Sequence, residues 1–190
     1  MDTLHVNLFG SPGSGKSTGA SYIFSMLKLH GIVAELVTEF VKDRVWEKSN
    51  ELVYLQPYIS GNQIFRQYVL DGQVEVVITD SPILFGLIYN QDIDTKEEYD
   101  RFLVKFFNKH NNINYLITRN KPYVPIGRTQ SKDKSDKISM RMRHEIFDKY
   151  SIPYVPIAGT EEGYNIIVDT ILYKMNKTRN DRVDINYVGD

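Results

Sequence analysis

Residues 4–18 read Leu-His-Val-Asn-Leu-Phe-Gly-Ser-Pro-Gly-Ser-Gly-Lys-Ser-Thr. Gly10, Gly15, Lys16 and Ser17 satisfy the phosphate-binding pattern G-x-x-x-x-G-K-[ST]. An apolar run at 3–9 leads into the pattern. A helix leads out of it, with Ile23, Met26, Leu27 and His30 at i, i+3, i+4 and i+7 and Gly31 as its stop. The glycines let successive backbone N–H groups turn toward one anion, and the helix directs its positive end to the same point. The expectation is a cradle of Gly10, Ser11, Pro12, Gly13, Ser14, Gly15, Lys16, Ser17 and Thr18 around the phosphates of ATP. Lys16 would reach the β- and γ-phosphates, and the Ser17 hydroxyl would hold Mg²⁺.

Outward from this loop, the bulk composition sets limits. The chain has 190 residues, 42% of them hydrophobic and 25% charged, with a formal net charge of −1. That suits one domain, expected at 1–176 and followed by a polar tail at 177–190 that frays. No apolar run approaches the roughly 18 residues a membrane span needs, and no leader peptide is expected, because Met1-Asp2 is not basic. The absence of cysteine excludes disulfides, thiolate zinc sites and cysteine nucleophiles. A cytoplasmic (intracellular) protein is expected.

Further strands are expected at 32–37, 74–79, 114–118 and 153–157, with helices between them. One helix should run from residue 40 to about Gln56. Pro57 and Gly61 should break or kink the chain before a helix carrying Gln63, Arg66 and Gln67. Another helix should occupy 95–111, the stretch 119–137 reads as a loop, and helices should follow at 138–150 and around Tyr164–Met175. Five strands alternating with helices predict a parallel sheet in a three-layer α/β/α sandwich of the P-loop NTPase class. Ligands of such sheets gather at the carboxyl ends of the strands, which brings the loop at 10–18, Glu39, Asp80 and the start of the 119–137 stretch to one crevice.

The remaining motifs select among P-loop chemistries. A GTPase base reader would need a carboxylate where Asn120-Lys121-Pro122-Tyr123 has tyrosine, and Asp80 is followed by Ser81-Pro82-Ile83 rather than a D-x-x-G switch. A small kinase accounts for more. Asp80 ends an apolar strand where a Mg²⁺-organising carboxylate belongs, although Asp before Ser-Pro also suits a helix N-cap. Glu39 at the end of strand two is a candidate base for an acceptor hydroxyl, or a solvated loop carboxylate. Arg44 either binds substrate or pairs with Glu39 or Glu47.

Residues 119–143 hold eight Lys and Arg against two Asp. On the ligand edge, such a segment reads as a lid closing over the polyphosphate. Arg128 and one of Arg141 or Arg143 are preferred as phosphate contacts because a guanidinium binds oxygens bidentately. A nucleic-acid backbone is the alternative partner of this segment. Tyr54, Tyr58, Phe65 and Tyr68 beside Gln63, Arg66 and Gln67 suit either a base-stacking pocket or plain aromatic packing.

On these residues the chain resembles the P-loop kinase family that contains the ribosylnicotinamide kinase domain of bacterial NAD-regulator proteins, and less closely the deoxynucleoside and thymidylate kinases. The shared marks are G-S-P-G-S-G-K-S-T, Glu39-Phe40-Val41, Gln63-x-x-Arg66-Gln67, Asp80, the Asn120 to Arg128 stretch, and Asp148-Lys149-Tyr150-Ser-Ile-Pro153-Tyr154. The resemblance implies a nucleoside-kinase-like fold with a basic lid. It also implies ATP and Mg²⁺ at Gly10–Thr18, a catalytic or magnesium carboxylate at Asp80, and an acceptor-side acid at Glu39. Thr38 and Ser81 stand where relatives carry substrate-handling arginines, which leaves the acceptor open. A bacteriophage branch that phosphorylates a hydroxymethylated pyrimidine in DNA is similar as well. An ATP-dependent adaptor without transfer activity is the non-enzymatic alternative.

Overall fold

The computed structural model describes residues 2–48, 52, 54–120 and 132–179. Five strands, β1 (Leu4–Phe9), β2 (Ala34–Val37), β3 (Val76–Thr79), β4 (Asn111–Thr118) and β5 (Val155–Ala158), form one sheet in the order β2-β3-β1-β4-β5. Every pairing is parallel, with Asn7 opposite both Thr79 and Asn114. This is the α/β sandwich that the alternation of elements predicts.

β1 is buried along its whole length, and its side chains alternate between two different environments. Leu4, Val6 and Leu8 pack with Ile23 and Leu27 of α1 (Lys16–Leu29) and with Ile167, Val168 and Ile171 of the C-terminal helix. Phe9 faces the opposite layer, where Leu84, Leu87, Leu103, Phe107, Ile146 and Phe147 close a second core. Helices on both faces explain why the strands are short and mostly apolar.

Several boundaries differ from those expected. α2 (Phe40–Trp46) stops well short of Gln56, with Lys48 in the left-handed region at φ 58°. α3 (Gln56–Tyr68) runs unbroken through Pro57 and Gly61, because Pro57 lies in the first turn, where its missing N–H costs nothing. A short helix, α4 (Phe85–Tyr89), follows β3, and α5 (Lys96–Phe107) ends before residue 111 because β4 begins there. The expected 119–137 loop already contains the start of α6 (Lys132–Met142), which continues into a π-helical turn at Arg143–Asp148. α6 is polar enough that no apolar stripe announced it. The last helix, α7 (Glu161–Lys174), is capped by Thr160, whose side chain accepts from Gly163 N.

The tail is not free from residue 177 as expected. Arg179 pairs with Asp169 and donates to Asn165, and its carbonyl lies 3.2 Å from His30 Nε2. Residues 180–190 lie outside the described residues. Among the described residues no helix is long and apolar enough to cross a membrane.

Two helical glycines make opposite predictions. A Cβ on Gly19 in α1 would lie 2.5 Å from the Tyr164 ring of α7, whereas one on Gly61 in α3 would meet nothing within 4 Å. Gly19→Ala should therefore destabilise by about 1–3 kcal/mol despite the better helix former. Gly61→Ala should stabilise by roughly 0.5–1 kcal/mol. Thermal unfolding followed by circular dichroism checks both signs, at about 2–4 °C per kcal/mol for a chain of this size.

Candidate functional site

The loop between β1 and α1 is fixed by close approach on several sides. Gly15 has φ 104°, and its carbonyl accepts a 2.9 Å bond from the Tyr164 hydroxyl. A Cβ on Gly15 would collide with that hydroxyl, and one on Gly10 would lie 2.5 Å from Ser14 Oγ and 2.7 Å from the Ile117 carbonyl. The loop backbone therefore approaches α7 and β4 more closely than a side chain would allow. Lys16 Nζ donates to the carbonyls of Gly10 (2.7 Å) and Ser11 (3.2 Å) and sits 5.6 Å from the Phe85 ring centroid. Ser17 and Thr18 are exposed in the first turn of α1, a turn without acidic residues.

Glu39 feels the charges of both Lys16 and Asp80. Asp80 leaves β3, the neighbour of β1, and is buried. Its Oδ1 has no hydrogen-bond partner among the described residues. It does not act as a helix cap, since α4 begins only at Phe85 and follows Leu84. Glu39 occupies the cap position of α2, yet its side chain makes no cap bond. It is half-buried rather than a solvated loop carboxylate. Burial pushes its carboxyl pKa up and the charge of Asp80 adds to this, while Lys16 and Lys42 pull it down. The Tyr89 hydroxyl is pushed up to about 12, chiefly by burial and then by Glu39, with Arg141 opposing. Arg141 itself is held by a two-pronged pair with Glu145 at 2.6 and 2.9 Å. Lys16, Glu39, Asp80, Tyr89 and Arg141 thus share one electrostatic neighbourhood.

Other expected site residues are engaged elsewhere. Gln63 is buried and serves as a bracket: its Oε1 accepts from Phe40 N at 3.1 Å, and its Nε2 lies 3.4 Å from both the Thr38 carbonyl and Thr79 Oγ1. Arg44 pairs with Glu47 (2.6 Å), and Arg66 pairs with Asp43 (3.0 Å). Their guanidiniums lie 5.2 and 5.0 Å from the centroid of the Phe40 ring. These three residues hold the wall of the crevice through Phe40. Gln67 is buried, with Nε2 unpartnered among the described residues. Arg143 is exposed and joins none of these contacts among the described residues. Arg128 lies outside the described residues, as does most of the expected lid.

Two contacts on the loop were not expected from the sequence. Arg119, directly after β4, reaches Pro12 O (3.4 Å), Ser11 Oγ (3.5 Å) and Asp136 (2.9 Å). Ser135 of α6 donates to Pro12 O at 2.8 Å and is also bonded by Arg119. The signal was positional. Arg119 is the first residue beyond the strand that pairs with β1, so its backbone had to emerge beside the loop.

A family model described as an AAA domain matches residues 5–162. The chain belongs to this AAA-domain family. Its P-loop NTPase character accounts for the strand–loop–helix arrangement, and the protein is a nucleotide-binding domain. No curated protein matches the chain. In this AAA domain the residues present fit a nucleotide with a divalent cation. Gly10, Gly13 and Gly15 all have positive φ, the glycine-dependent backbone in which successive N–H groups can turn toward an anion, and Asp80 offers a buried, unpartnered carboxylate oxygen of the kind Mg²⁺ favours.

The state of Glu39 can be tested through stability. The folded protein holds the Glu39 proton more tightly than the unfolded chain. Its contribution to stability is therefore most favourable at low pH and is lost as pH rises through the raised pKa. Glu39→Gln should exceed the wild type in Tm at about pH 8 and converge with it near about pH 4. A Tm difference that stays constant with pH would contradict the raised pKa.

Proposed function

We propose that the protein is an ATP-dependent kinase that transfers the γ-phosphoryl group to a hydroxyl or phosphate of a nucleoside-like acceptor. The observation that carries this reading is the pair of carboxylates, Glu39 and Asp80, of which Glu39 feels both the other and the loop lysine. They lie in different environments, which suits two roles. The loop amides and Lys16 would hold the donor phosphates, while Ser17 and Asp80 would hold the cation. When bound, Mg²⁺ neutralises charge on the phosphate oxygens. Glu39, with its proton affinity raised by burial, is suited to take the proton of an acceptor hydroxyl. Arg141, which like Glu39 acts on the Tyr89 hydroxyl, would supply positive charge to the same neighbourhood. Arg128 is proposed to join it from the lid.

A DNA-base acceptor is the second reading, favoured by the exposed aromatics Tyr54, Phe65 and Tyr68 at and near α3. Such rings stack bases without sequence preference.

The test incubates the protein with γ-labelled ATP and an acceptor panel of nucleosides, nucleoside monophosphates, nicotinamide riboside, and DNA with and without hydroxymethylated pyrimidines. A product identified by mass names the acceptor class. Label appearing only in DNA selects the second reading, and hydrolysis or tight ATP binding without transfer refutes both. Lys16→Ala should reduce transfer by at least about 100-fold, the scale of losing one transition-state charge contact.

A further inference from the structure

The opposite edge of the sheet carries a cluster that the nucleotide site does not use. His5 begins the buried half-face of β1, His110 immediately precedes β4, and Asp71 lies in the turn between α3 and β3. His5 Nε2 is 3.2 Å from Asp71 Oδ1, and His110 Nε2 is 3.9 Å from Asp71 Oδ2. The imidazole centroids are 4.5 Å apart, and the three potential ligand atoms all lie within 4.8 Å of one another. We propose that His5, Asp71 and His110 form a binding site for a divalent transition cation of the Zn²⁺ class.

The donor chemistry supports this choice. Two imidazoles and one carboxylate suit Zn²⁺, Co²⁺ or Ni²⁺, whereas Mg²⁺ and Ca²⁺ prefer all-oxygen shells. His110 Nδ1 lies 3.1 Å from the Phe106 carbonyl, so the ring donates there and turns the Nε2 lone pair toward Asp71. That is the backbone anchoring which orients metal-bound histidines. Asp71 carries a 42% exposed side chain, which gives an ion a path from solvent. Small side-chain rotations would bring the three donors to the roughly 2.0–2.2 Å that zinc ligands require. The ion would sit between the His5 ring and the Asp71 carboxylate, now 3.2 Å apart. It would tie together three segments separated by 66 and 39 positions in the chain.

This assignment is independent of the phosphotransfer reading, because the nucleotide loop leaves β1 from its other end. The experiment uses the full chain, stripped with chelator and free of nucleotide. Titration calorimetry with Zn²⁺ should give one equivalent bound. Thermal unfolding with Zn²⁺ at about 100 times its Kd should show a Tm raised by about 5 °C or more. Asp71→Asn and His110→Gln should each weaken binding at least tenfold. His144→Gln, which alters an exposed His–Asp pair on the π-helical turn, should leave binding unchanged. Cobalt substitution in the wild type should give the intense visible absorption of a low-symmetry site. That readout does not depend on the variants folding. No stoichiometric Zn²⁺ binding by the wild type, or undiminished binding in both ligand variants, would overturn the assignment.

Discussion

The parallel pairing of β1 with β3 on one side and β4 on the other is the constraint on which the rest of the molecule depends. Backbone hydrogen bonds in register align the carboxyl ends of all three strands. Whatever residue follows each strand must then arrive at the same crevice. For β1 that residue is Gly10, for β3 it is Asp80, and for β4 it is Arg119. A register slip of one residue would turn Leu4, Val6 and Leu8 out of their core and remove Asp80 from the loop lysine together. Stability and site geometry are therefore one property.

The crevice concentrates charge where water is scarce. Glu39 interacts with both Lys16 and Asp80, and the burial that raises its proton affinity also strengthens its attraction to the lysine. The surrounding wall is firm. Gln63 ties together the ends of β2 and β3 and the first turn of α2, while two guanidiniums flank Phe40. A base at this position would need such support, since a displacement of about 1 Å at a reacting centre can cost two orders of magnitude in rate. The same sheet has a polar opposite edge. Asn7 bonds Asn112 and Asn114 on the face of β1 that also carries His5, so polar side chains of β1 and β4 meet beside the histidine pair.

Much of this was legible in the chain because it depends on local rules. The phosphate loop, the five strands, the parallel α/β architecture and the arrival of Asp80 at the ligand edge all follow from glycine placement, apolar runs and the alternation of elements. Helix ends were less legible. Pro57 starts a helix instead of breaking one, and polar α6 lacks the apolar periodicity that marks a helix in sequence. Arg44 takes Glu47, one of the partners its spacing offered, whereas Arg66 and Gln63 meet Asp43, Phe40 and Thr38, which no local spacing indicates.

The sequence by itself determined the phosphate-binding loop and the class of fold, because those reside in short contiguous patterns with a direct backbone meaning. Only the tertiary structure decided which charged groups meet. Arg119 and Ser135 reach the loop, Tyr89 and Arg141 stand near Glu39, and His5 faces His110 across 105 residues of chain. Side-chain encounters of that kind depend on strand order and helix packing. Those are set by burial summed over the whole molecule, which no local stretch of sequence encodes.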